Sequence, residues 1–90
     1  MQRECHNLDD IAKIIYENYV KESQYSITDR LSRIPGKTSI IEVLYDAIRG
    51  VKNDEDKRKF KSFVDSISNM QDTDAIYCAK LLALKALSRD

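Results

Sequence analysis

The sequence predicts an all-α fold, an antiparallel helical bundle of four longer helices and one short helix. Three observations carry this expectation. The 90 residues include only two glycines and one proline, too few breakers for a turn-rich β fold. The composition is 42% hydrophobic and 33% charged, which suits amphipathic helices better than a disordered chain. Apolar residues also recur at spacings of three and four in five separate segments. A chain of this length fits one domain and buries only ~60–65% of its unfolded surface. The organisation expected is a flexible N-terminal tail over residues 1–6 and a single helical domain over 7–90.

The first helix is expected from Leu8 to Glu22. Asn7 is a suitable N-cap, and Asp9 and Asp10 favour the positive end of the helix dipole. Leu8, Ile11, Ala12, Ile15 and Tyr19 make one stripe. Ile14 and Val20 fall off it, and read either as scattered exposed apolar residues or as a second contact surface. The short second helix is expected from Ile27 to Ile34, with Ser26 and Asp29 as a weak capping box. It buries Ile27, Leu31 and Ile34 and stops at Pro35-Gly36, because the residue before a proline avoids the α region.

Helix three is expected from Ser39, as cap with Glu42 at N3, to about Val51. Its wide apolar face of Ile40, Ile41, Val43, Leu44, Ala47, Ile48 and Val51 predicts deep burial, and Gly50 suits its C-terminal turn. Helix four follows Asn53 as cap, with Asp54, Glu55 and Asp56 in its first turn, and runs to about Ser68. It turns Phe60, Phe63, Val64 and Ile67 inward. Helix five, capped by Asp72 or Thr73, runs to about Ser88 and is the most apolar window of the chain. The expected core is Ile11, Ile15, Tyr19, Leu31, Ile34, Ile40, Leu44, Ala47, Ile48, Phe60, Phe63, Val64, Ile67, Ile76, Ala79, Leu82, Ala83 and Leu87.

Helix five presents two surfaces on a helical wheel. The broad one is Ala75, Ile76, Cys78, Ala79, Leu82, Ala83, Ala86 and Leu87, rich in small residues that let another backbone approach closely. The narrow one is Tyr77, Leu81 and Leu84. Lys80 and Lys85 mark the boundaries. A surface helix normally has one apolar stripe. A helix with two is either enclosed by its own chain or shared with a partner, so Tyr77, Leu81 and Leu84 are the candidate partner-binding residues.

Several function classes lose ground. No Ser/His/Asp or Cys/His constellation is apparent, and His6 is the single histidine. Two glycines leave no room for a glycine-rich phosphate loop. Asp9-Asp10 and Asp54-Glu55-Asp56 sit at expected helix starts, where capping and the dipole account for them. Cys5-His6 is the one adjacent pair of metal-capable side chains, short of the roughly four ligands of a zinc site. The expectation is a non-enzyme with no cofactor and no metal.

Net charge is zero and evenly spread, with six basic against seven acidic residues in 1–45 and nine against eight in 46–90. Nucleic-acid binders usually show a basic excess. Even so, residues 26–51 have the outline of a helix-turn-helix, with Arg30, Arg33 and Lys37 near the turn. Its reading helix would expose Glu42 and Asp46, which phosphate repels.

No uncharged apolar run approaches the ~20 residues of a membrane span. The N-terminal residues hold no apolar stretch of the signal-peptide kind. Two distant cysteines, Cys5 and Cys78, are fewer than a small secreted domain usually carries. A reducing, cytoplasmic location is the expectation. The function expected is a protein-binding or regulatory helical module, with self-association through helix five as one form of it. A small helix-turn-helix DNA-binding regulator is the alternative.

Overall fold

The computed structural model of the chain describes residues 5, 7–33 and 36–88. Among them five α-helices form an all-α bundle: α1 Leu8–Asn18, α2 Lys21–Ser32, α3 Lys37–Ile48, α4 Asp54–Ser68 and α5 Asp72–Leu87. The second helix has 12 residues, as many as α3, and begins six residues earlier than its local sequence suggests. α5 packs against all four other helices, most extensively against α2 and α1. No helix among the described residues is long and apolar enough to cross a membrane.

The core follows the apolar periodicity. Ile11, Ile15, Leu31, Ile40, Leu44, Phe60, Ile67 and Leu82 lose essentially all contact with solvent. The small-residue face of α5 buries Ala75, Cys78, Ala79, Leu82, Ala83 and Ala86 against its neighbours. Ile14, expected off the buried stripe, is also buried, because α1 is covered on more than one side by α2, α4 and α5. Val20 is exposed in the connection to α2. Tyr19, Ile48 and Ile76, expected in the core, sit half-buried at its edge, and Leu87 is exposed. Ile34 and Pro35 lie outside the described residues.

One long helix from Leu8 to Glu22 does not form. Tyr19 and Val20 both take extended backbone between α1 and α2. The break is held by tertiary contacts. The Gln24 amide donates to the carbonyls of Tyr16 at 3.1 Å and Tyr19 at 2.8 Å, filling acceptors that the end of α1 leaves open. The Tyr19 hydroxyl donates to the Ala47 carbonyl near the end of α3. The Asn18 amide donates to the Ile14 carbonyl at 2.8 Å, while its oxygen accepts from the Lys52 N–H at 3.3 Å.

The caps divide sharply. Asn53 caps α4 as expected, its side-chain oxygen accepting from Glu55 N–H at 2.8 Å and Asp56 N–H at 3.2 Å. Asn7 instead takes a left-handed conformation (φ 62°) and makes no side-chain cap bond. Ser26 and Ser39 fall inside α2 and α3 rather than at their starts. α3 begins after Gly36 and α5 after Gln71, neither with a side-chain cap.

Cys5 lies inside the expected tail yet is not free. Its sulfur is bonded to that of Cys78, with the two Cα atoms 5.6 Å apart. The bond joins residues 73 positions apart and ties the segment before α1 to the middle of α5. Residues 1–4 and 6 lie outside the described residues. The expectation of a reducing compartment took two distant cysteines as too few for a disulfide framework, whereas the structure pairs them.

Candidate functional site

Helix five resolves its own ambiguity by burying one face and opening the other. Tyr77 is 39% exposed and Leu84 64% exposed, whereas Leu81 is half-buried against the core. The narrow strip is thus divided, with Leu84 and part of Tyr77 open to solvent and Leu81 packed against the core. Leu84 also continues into a groove of about 370 Å³ between α5 and α2. α5 contributes Lys80, Ala83, Leu84 and Leu87, and α2 contributes Tyr25, Thr28, Asp29 and Ser32. Tyr25 is 51% exposed and Leu87 39% exposed, so together with Leu84 they form an apolar face across two helices.

The polar groups of α2 in this groove are already satisfied. The Thr28 hydroxyl donates to the Tyr25 carbonyl at 3.1 Å, and the Ser32 hydroxyl to the Asp29 carbonyl at 2.9 Å. Asp29 pairs with Arg33 one turn along at 3.0 Å, a surface contact worth only about 0.3–0.5 kcal/mol. What the groove offers a visitor is hydrocarbon, the Tyr25 ring, the Lys80 ammonium on α5 and, on α2, an Asp29 carboxylate already held by Arg33.

Tyr25 and Leu87 were missed as site residues for different reasons. A second helix beginning at Ile27 leaves Tyr25 outside any helix. A start at Lys21 puts Tyr25, Thr28, Asp29 and Ser32 at helical spacing on one face. Leu87 has a core position on the wheel, but it lies in the last turn, where it is 39% exposed.

Each of the three basic residues of the helix-turn-helix outline is engaged within the chain. Arg30 pairs with Asp46 of α3 at 3.2 Å. Arg33 pairs with Asp29 within α2. The Lys37 ammonium donates to the carbonyls of Ser68 at 3.1 Å and Met70 at 3.0 Å, at the negative end of α4. Phosphate would have to displace a protein acceptor from each. Of the acidic clusters, Asp9 pairs with Lys85 of α5 at 2.9 Å, and Asp54, Glu55 and Asp56 occupy the first turn of α4. Among the described residues no three His, Cys, Asp or Glu side chains converge on a point that could hold a metal ion.

Tyr19 carries a hydroxyl of altered acidity. Burial raises its hydroxyl pKa above the ordinary value; the nearby Asp46 charge adds to this, and a hydrogen bond with the Gly50 backbone opposes it. The group sits at a helix junction, away from the groove. Comparison with protein-family models, with curated proteins and with solved structures finds no match to this chain, so the α2/α5 groove rests on its own geometry.

Proposed function

We propose that this chain is a non-enzymatic protein-binding module, regulatory in the sense that it acts through what it docks, and that its docking face is the α2/α5 groove. The observation that carries this reading is the continuous exposure of Tyr25, Leu84 and Leu87 beside internally satisfied polar groups. The occupant to which the surface is best suited is a second copy of the chain. Lys80 lines the α5 side and Asp29 the α2 side, so a two-fold arrangement sets Lys80 of one copy towards the Asp29 carboxylate of the other, which Lys80 would share with Arg33. Zero net charge removes long-range repulsion between copies.

The association is expected to be weak. For each of Tyr25, Leu84 and Leu87, burying what is still exposed contributes less than the about 1.5–3 kcal/mol of a fully exposed side chain, against several kcal/mol for immobilising two bodies. A dissociation constant in the range of ~10 µM to ~1 mM follows. Sedimentation equilibrium across that range is the test. The wild type is expected to dimerise reversibly. Leu84→Asp is expected to remain monomeric with an unchanged helical circular-dichroism spectrum, since the side chain is 64% exposed. A wild type that stays monomeric up to ~1 mM overturns self-association.

A further inference from the structure

We infer that the Cys5–Cys78 bond is a permanent staple of the working protein rather than an exchangeable thiol switch. The two sulfurs have unequal access. Cys78 is fully buried in α5, whereas Cys5 lies outside the helices and is only partly covered. An attacking thiolate therefore has its approach from the partly covered Cys5 side and none through the fully buried Cys78. Attack there makes a mixed disulfide at Cys5 and expels Cys78 as a thiolate into the core. The neighbouring sulfur of Met70 is no help. The Met70 sulfur, 3.8 Å from that of Cys78, has no proton to give. A thiolate left in these apolar surroundings is an unpaired buried charge. Exchange in the native state is blocked at the departing group, so it has to wait for the fold to open.

Formation is the reverse and balances without any further reagent than a small disulfide such as oxidised glutathione. The Cys5 thiolate attacks that disulfide and releases one small thiol. The Cys78 thiolate then attacks the Cys5 sulfur and releases the second. Two protein thiols are oxidised and one small disulfide is reduced to two thiols. Closure of a loop between residues 73 positions apart removes much freedom from the unfolded chain, so the bond and the fold support each other. A bond of this kind belongs to chains that work in an oxidising compartment.

The test has two arms on the full chain. In the first, the protein is acid-trapped in the cells that produce it, alkylated under denaturing conditions and weighed. No alkylation is expected; two alkylated cysteines overturn the inference. In the second, oxidised protein is treated with dithiothreitol, natively and in denaturant, and quenched with iodoacetamide over time. Native reduction is expected to be at least ~1,000-fold slower, matching the small open fraction of a folded domain. Rates within ~10-fold of each other identify an exchangeable switch and overturn the staple. Cys5→Ser is expected to lower Tm by about 10–25 °C. An unchanged Tm also overturns it.

Discussion

The connections α1–α2 and α3–α4 lie against each other, yet they are built in opposite ways. Between α3 and α4 the instructions are local. Asn53 is a residue that begins helices, and its side chain caps its own helix at 2.8 and 3.2 Å. Between α1 and α2 no glycine or proline interrupts the run, and the local pattern continues as helix. The turn exists because Gln24 fills the carbonyls of Tyr16 and Tyr19, and because Tyr19 reaches across to Ala47. One junction draws its helix cap from its own residues. The other is made by the second helix and by its neighbouring junction. A helix end can thus be set by acceptors that only the folded molecule supplies.

Four substitutions separate these two designs. The largest effect is expected where they touch. A methyl group added at Gly50 would meet the Tyr19 ring at 2.5 Å (Cζ) and 2.9 Å (Cε1), with the ring already tethered to Ala47. Gly50→Ala is expected to cost about 3 kcal/mol by overpacking, read as a lower urea midpoint. If the change proves neutral, the contact between the junctions is not tight. Gln24→Leu comes next. It leaves two carbonyls without their donor, so a loss of about 2 kcal/mol is expected, together with faster amide exchange around residues 19–24. Retained stability and protection would show that α1 stops for another reason.

Asn53→Ala removes a local cap only. It is expected to cost about 1 kcal/mol, with exchange raised in the first turn of α4 and nowhere near Gln24. The smallest effect concerns Tyr19 and pH. Its folded pKa lies above the ordinary value of 10.0, so the folded state favours the neutral phenol. That contribution is complete below pH 10 and is lost as pH rises through the folded value. Urea midpoints compared at neutral pH and above pH 10 should therefore fall less steeply in Tyr19→Phe than in the wild type. Parallel profiles would mean that the hydroxyl titrates as it does in the unfolded chain.

The same contrast marks what could be read from the residues alone. The helical class, the buried faces of α3 and α4, and the Asn53 cap depend on periodicity and side-chain chemistry within a few residues. The end of α1 and the start of α2 depend on partners up to 34 positions away, such as Asn18 and Lys52. The site was half legible. The wheel of α5 isolates Leu84 and Tyr77, but the groove also needs Tyr25, which comes into line only once α2 starts at Lys21. The pairing of Cys5 with Cys78 was out of reach, because two cysteines far apart in a chain carry no signal of distance in space.

The sulfur bond also changes what a broken backbone would do. Because it joins residue 5 to residue 78, a single proteolytic cut at any connection between the helices leaves both pieces attached to each other. Such a nicked molecule would run as one species on a non-reducing gel and as two only after reduction. The helices on either side of the cut would stay at high effective concentration, free to re-form the bundle around the break.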